Sequence, residues 1–232
     1  SYHDFRKTPD NLQEIHDRLA ALDPDIVKLS TMCNQPRDNV RILRLMRDSR
    51  KPTVAMCMGD MGTPSRILAA RYNTPFVYAT FHHERLLAPG QLSFQQMNEI
   101  YHHDLINSET VVYGVIGDPI GHSLSPHVHN AALRYAGINA VYVPFRVPAE
   151  ELNAFLDDCP ELGVRSLSVT IPHKETVLPR LAKAGPAVRG MGAANTIVWE
   201  DEALVGYNTD YQAGIDSLQR AMQPPNYDRG GL

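Results

Sequence analysis

Short apolar or β-branched runs alternate with amphipathic stretches through the first half of the chain, a pattern that predicts strands separated by helices. The runs fall at 25–32, 53–58 and 76–81. Leu12, Ile15, Leu19 and Leu22 share one helical stripe, and Phe94, Met97, Tyr101 and Leu105 form another behind a Ser93/Gln96 capping box. Thr63-Pro64 predicts an N-cap followed by proline in the first helical turn. Strands that are apolar on both sides and spaced by helices imply a parallel sheet covered by helices.

A polar stretch at 107–110 breaks the pattern, and a domain boundary is expected there, dividing the chain into 1–108 and 109–232. The predicted order beyond it is strand 111–117, helix 125–136, strand 140–147, helix 149–156, strand 164–171 and helix 174–184. A ribbon of 196–200 and 203–207 turns at Asp201-Glu202, and a last helix covers 211–222. Pro224-Pro225-Asn226 and Gly230-Gly231 read as a linker, and Ser1 reads as a start inside a longer sequence.

At 232 residues and 43% hydrophobic, the chain is long enough for two ordinary domains with cores. Its 22 basic and 26 acidic residues are scattered, so small-molecule partners are expected rather than nucleic acid or membrane. No apolar stretch approaches the ~20 residues of a membrane span and no signal pattern opens the chain, which favours a cytoplasmic location. Cys33, Cys57 and Cys159 show no CxxC spacing and are expected to be reduced bystanders. His82-His83 and His102-His103 lack the spacing of a metal site, so no metal is expected.

Two lysines stand in polar clusters. Lys28 lies inside Asp25-Ile-Val-Lys-Leu-Ser, where burial favours the neutral amine, a nucleophile toward carbonyls. Alternation puts it on the face of Ile26 and Ser30, the lumen side of a closed barrel, although a strand lysine is more often an edge or snorkelling residue. His3 ends the first strand, where βα barrels place catalytic groups, yet a lone histidine there is more often structural. Lys174 closes Ser168-Val-Thr-Ile-Pro-His-Lys and Asp210 closes Gly206-Tyr-Asn-Thr-Asp. Meeting across a cleft, they would hold a hydroxyl and relay its proton; otherwise they are a surface ion pair worth about 1 kcal/mol or less. Ser123 and Ser125 sit in a strand-to-helix turn, where hydroxyls and free helix-end amides cradle a carboxylate, or where Ser125 merely caps the helix ahead of Pro126.

Ser1-Tyr-His-Asp-Phe with Thr8-Pro9, Asp25-Ile-Val-Lys-Leu, Met61-Gly-Thr-Pro-Ser-Arg-Ile and Ala88-Pro-Gly-Gln resemble, in order, the second half of type I 3-dehydroquinate dehydratase. The resemblance implies an α/β fold that is the C-terminal part of a (β/α)8 barrel. In it Lys28 forms a Schiff base with the substrate ketone, His3 moves protons, Arg66 clamps the carboxylate and Gln91 binds a ring hydroxyl. Leu87 stands where many members have serine, so the hydroxyl contact that serine would make is missing at this position.

Together with Gly192-Ala-Ala-Asn-Thr, the segments around Ser123, Lys174 and Asp210 resemble the α/β substrate-binding domain of shikimate dehydrogenase, over 111–214. The resemblance implies that Ser123 and Ser125 bind the shikimate carboxylate, that Thr170 and Asn195 bind ring hydroxyls, and that Lys174 and Asp210 are the catalytic pair. Ser168 keeps a hydroxyl contact where stand-alone bacterial members often have asparagine. The implied cofactor is NADP. No strand-GxGxxG-helix unit is present, and Gly190 and Gly192 lack the helix and acidic residue of such a unit, so the Rossmann domain is expected beyond residue 232. The chain thus resembles an internal piece of a fused dehydratase and dehydrogenase, incomplete for both consecutive reactions of aromatic amino-acid biosynthesis. A ligand-sensing regulator built from the same domains is the alternative outside enzymes, and His3, Lys28, Lys174 and Asp210 argue against it. A quinate dehydrogenase is the alternative among enzymes, and Ser123 with Ser125 favours shikimate.

Overall fold

A computed structural model describes residues 1–81 and 90–222. The His82-His83 pair, Leu87, Ala88, Pro89 and the proline- and glycine-rich tail lie outside the described residues.

The first half is a three-stranded parallel sheet in the order β1 (Tyr2–Asp4), β2 (Val27–Met32), β3 (Thr53–Met58). The connections are α1 (Leu12–Ala20) and α2 (Arg37–Asp48), and α3 (Thr63–Leu68) follows β3. Alternation divides the sheet into two faces. Val27, Leu29, Ala55 and Cys57 pack into a core with Leu12, Ile15, Ile42, Leu43 and Ile67 of the helices. His3 pairs with Ser30, Lys28 with Val54 and Ser30 with Met56, so these residues share the opposite face.

Several expected elements take a different form. Leu12 and Ile15 are buried as the stripe requires, but α1 ends at Ala20 and Leu22 is 78% exposed. The 76–81 run is not a strand of this sheet. Thr80 instead makes a lone parallel bridge to Ser93, its amide donating to Leu92 O at 3.0 Å while its carbonyl accepts from the Phe94 amide at 2.7 Å. The Ser93/Gln96 box forms in both directions, at 2.9 and 3.1 Å, yet it opens one π-helical turn, Gln96–Ile100, in place of a long helix, and Leu105 is exposed. Thr63 makes no capping hydrogen bond, although Pro64 does occupy the first turn of α3.

The second half is a six-stranded mixed sheet. Its elements are β4 (Val111–Gly117), α4 (Ser125–Tyr135), β5 (Ala140–Arg146), α5 (Leu152–Asp158), β6 (Val164–Val169), α6 (His173–Thr176), β7 (Lys183–Ala184), α7 (Pro186–Met191), β8 (Thr196–Glu200), β9 (Ala203–Tyr207) and α8 (Thr209–Met222). The order is β5-β4-β6-β8-β9-β7, with β5, β4 and β6 parallel and β8 antiparallel to both β6 and β9. The chain passes from β4 to β5 on one side and then to β6 on the other. Parallel sheets bind ligands outside the carboxyl ends of strands at such a reversal.

The expected helix over 174–184 is only α6. Pro179 cannot continue the amide ladder, and the chain turns out to β9, where Ala182 donates to Leu204 O at 2.8 Å. At the other end of the sheet, Gly114 is obligatory: a β-carbon there would lie 2.4 Å from Val143 O and 2.6 Å from the Phe145 ring.

One apolar core runs through both halves, joining Ile42, Leu43 and Ile67 to Val143, Phe145, Phe155 and Leu162. Polar contacts follow the same seam. Arg37 grips Asp158 through two nitrogens at 2.9 and 3.1 Å, Arg44 grips Glu161, and Arg71 Nη1 donates to Leu162 O at 2.6 Å. Burial of shared apolar area, with bidentate pairs along its rim, couples the two sheets mechanically.

Candidate active sites

On the open face of the first sheet, Lys28 and His3 come together. The register sets His3 beside Ser30, two residues beyond Lys28 on the same side, and the Lys28 charge is near enough to act on the imidazole. Partial burial first and the Lys28 charge second hold the His3 pKa below its ordinary value, so the ring is a free base at neutral pH. Lys28 Nζ lies 4.2 Å from the centre of the Tyr78 ring, a cation–π contact absent from the sequence reading. Arg66 reaches this face from α3, with Nη1 3.3 Å from Met56 Sδ. It is 4% exposed, its Nε has no hydrogen-bond partner, and burial lowers its pKa. A buried guanidinium that lacks a carboxylate among the described residues is poised for an anion. The hollow beside it, walled in part by Arg66, Phe76 and Tyr78, measures about 10 Å³. That is no more than the space of one water. Gln91 follows Gly90, where a β-carbon would lie 2.1 Å from Gly59 O, so the chain presses here on the loop after β3.

The second sheet carries a formed cavity of about 820 Å³ at the carboxyl ends of β4 and β6. Ser123, Ser125, Ser168, Thr170, Lys174, Asn195 and Asp210 all line it. Lys174 Nζ donates to Asp210 Oδ2 at 2.7 Å, and this bond is the first cause that holds the Asp210 carboxyl below its ordinary range. α6 is fixed from behind. His173 is wholly buried with Nε2 2.7 Å from Val147 O, and the Lys174 carbonyl accepts the Ala194 amide at 2.8 Å.

Asn195 is tied more tightly than a free ligand group. Its Nδ2 donates to Thr209 Oγ1 at 2.8 Å, and its Oδ1 accepts from the Thr209 amide at 3.0 Å and from Thr196 Oγ1 at 3.1 Å. Asn208 Oδ1 accepts the Tyr211 amide at 3.2 Å, the work of an N-cap. Together these contacts aim the first turn of α8, and hence Asp210, at Lys174. Ser125 does not cap α4 as the sequence allowed; the Ser125 amide donates to Ser123 Oγ at 3.2 Å.

Among the wall residues that sequence reasoning passed over are His129, Tyr142 and Thr209. Tyr142 Oη donates to Ser168 Oγ at 2.7 Å, and the His129 ring stacks on Tyr142 with centroids 4.2 Å apart. The available signal was a phenol in the otherwise apolar stretch Ala140-Val-Tyr-Val. Gly190 and Gly192 belong to the carboxyl end of α7, with Gly192 at φ 64°. That helix end presents carbonyls rather than amides to an anion, so it is no phosphate cradle.

A mixed α/β fold with a hydroxyl-lined cavity at a sheet reversal, bordered by a lysine–aspartate pair, has the form of a small-molecule site. Residues 1–108 match the family model of type I 3-dehydroquinase, and residues 115–197 match that of the shikimate dehydrogenase substrate binding domain. The chain belongs to the proteins that join these two families in this order.

It is 33% identical over 227 residues to the bifunctional 3-dehydroquinate dehydratase/shikimate dehydrogenase, chloroplastic, of Arabidopsis thaliana, covering 96% of this chain and 37% of that protein. It is 28% identical over 210 residues to the shikimate biosynthesis protein AroDE of Chlamydia pneumoniae, covering 90% and 43%. Over 115 residues it is 45% identical to the shikimate dehydrogenase (NADP(+)) of Thermosynechococcus vestitus, covering 50% and 40%. The chain therefore spans less than half the length of each of these relatives.

Proposed function

We propose that this chain carries working parts of two consecutive activities, dehydration of 3-dehydroquinate to 3-dehydroshikimate and reduction of 3-dehydroshikimate to shikimate. One observation carries the second part. A lysine and an aspartate 2.7 Å apart border a cavity of about 820 Å³ that Ser123, Ser125, Ser168 and Thr170 fill with hydroxyls. A ring acid rich in hydroxyl groups matches such a lining, since a buried hydroxyl on either partner needs a mate.

In this reading Ser123 and Ser125, at the head of α4, take the carboxylate. Ser168 and Thr170 take ring oxygens. Lys174 donates to the oxygen that changes between carbonyl and hydroxyl and supplies or receives its proton, while Asp210 fixes the direction of the ammonium and balances its charge. Asn195 acts chiefly by holding the turn that presents Asp210. Hydride would come from NADP; the described residues form no dinucleotide cradle, so the chain's own groups are assigned binding and proton transfer only.

The first three strands are read as part of a (β/α)8 barrel, with residues 1–108 and 109–232 as the two units. Lys28 condenses with the substrate ketone, losing water, and the resulting iminium draws electrons from the neighbouring C–H bond. His3, unprotonated at neutral pH, accepts that proton and returns one to the departing hydroxyl. Arg66, buried without an anion, receives the carboxylate, and Gln91 a ring hydroxyl.

Borohydride reduction in the presence of 3-dehydroquinate, followed by peptide mass spectrometry, tests the first site: one adduct on Lys28 is expected, and an adduct confined to another lysine refutes the assignment. Calorimetric titration with shikimate tests the second. Saturable binding that Ser123→Ala and Ser125→Ala weaken is expected, and binding indifferent to both removes the carboxylate assignment.

A further inference from the structure

Tyr142 occupies the middle of the edge strand β5 and is held unusually firmly. The Asn130 side chain takes both of its outward backbone groups, donating to Tyr142 O at 2.9 Å and accepting from the Tyr142 amide at 2.8 Å. His129 stacks on the ring at an interplanar angle of 11°, and Val115 and Ile120 pack beside it. The residue is 4% exposed, and at the cavity wall its phenol rests on Ser168.

A buried phenol needs an acceptor for its proton, and Ser168 Oγ serves at 2.7 Å. A serine oxygen engaged in this way keeps its own proton for another acceptor. Ser166, the neighbour of Ser168 on the same face of β6, spends its proton on Ile197 O at 2.9 Å. Ser168 lines the cavity, so its proton is directed there.

We infer that Tyr142 is a positioning residue that fixes Ser168 as a hydrogen-bond donor to an oxygen of a hydroxylated ring acid in the cavity. The inference rests on the reading of that ligand as shikimate. Successive hydrogen bonds polarise one another, so the phenol also strengthens the serine as a donor. Burial raises the Tyr142 pKa, and hydrogen bonds with Ser168 and Ser125 offset only part of the rise, so the phenol keeps its proton throughout the neutral range. An asparagine at 168 would bring amide donors of its own and would not depend on Tyr142. Dependence on the phenol is therefore specific to a hydroxyl at that position.

The test is a cycle of shikimate dissociation constants for the 232-residue chain, Tyr142→Phe, Ser168→Asn and the double variant. Tyr142→Phe should weaken binding about tenfold with serine at 168 and less than about threefold with asparagine there. Equal losses in both backgrounds, or no loss in either, would overturn the inference, because a ring that only packs is indifferent to residue 168. A chain that takes up no shikimate would instead sink the ligand reading. The relay is then decided without ligand by the carbon-13 Cζ resonance of Tyr142, which Ser168→Ala should move and Ser166→Ala should leave in place. An unmoved resonance in Ser168→Ala overturns it.

Discussion

Lys174 Nζ and Asp210 Oδ2 are 2.7 Å apart although 36 positions separate them in the chain. The contact exists because the first turns of α6 and α8 are tied to the same loop: Ala194 donates to the Lys174 carbonyl, and Asn195 holds the Thr209 amide.

Removing the ammonium should release the carboxylate. In Lys174→Met the Asp210 titration is expected to move up toward the ordinary carboxylate range, because the Lys174 hydrogen bond is the largest cause of its depression. Carbon-13 titration of Asp210 reads this directly. A depressed carboxylate contributes stability above its unfolded pKa and loses it as pH falls through the folded value. With the two side chains 37% and 57% exposed, solvent screening keeps that contribution small. In a form of the protein that reduces 3-dehydroshikimate, turnover should fall about a hundredfold or more while shikimate affinity changes far less.

Lys28→Met should raise the His3 pKa, since the lysine charge is one of the causes that lower it, after burial. Proton NMR of the His3 ring over pH 5–8 measures the shift, and an unmoved titration would separate the two residues functionally.

How much could be read in advance differed from element to element. The β8–β9 ribbon was legible to the residue, because Asp201 and Glu202 supply the two positive φ angles, 47° and 66°, that a tight hairpin needs. The 76–81 run was not: its apolar character resembles a strand, but pairing depends on what lies alongside, and here that is the 92–94 segment. The cavity residues carried by motifs were recoverable from spacing and resemblance. Tyr142, His129 and Thr209 were not, because each acts through a neighbour that only the folded sheet supplies.

Glu161 ties the two halves. Its carboxyl is held below its ordinary range first by the Arg44 hydrogen bond, and Arg47 adds a contact at 3.3 Å. Glu161→Gln should lower stability by about 1 kcal/mol near neutrality, with the gap to the parent closing as pH falls through the depressed pKa. Urea denaturation at a series of pH values checks the sign.

Gly114→Ala should be costly, because the backbone oxygen of Val143, 2.4 Å from the new carbon, cannot swing aside. A loss of about 1–3 kcal/mol is expected by denaturant unfolding. Weaker shikimate binding should accompany it, since Val143 adjoins Tyr142 on β5.

The central claim is that the cavity on the second sheet holds shikimate against the Lys174–Asp210 pair, and a crystal structure of the chain soaked with shikimate addresses it most directly. The account predicts the carboxylate at Ser123 and Ser125 and one ring hydroxyl within hydrogen-bond distance of both Lys174 Nζ and Asp210. Shikimate bound with its carboxylate on Lys174, or lodged outside this cavity, would contradict it.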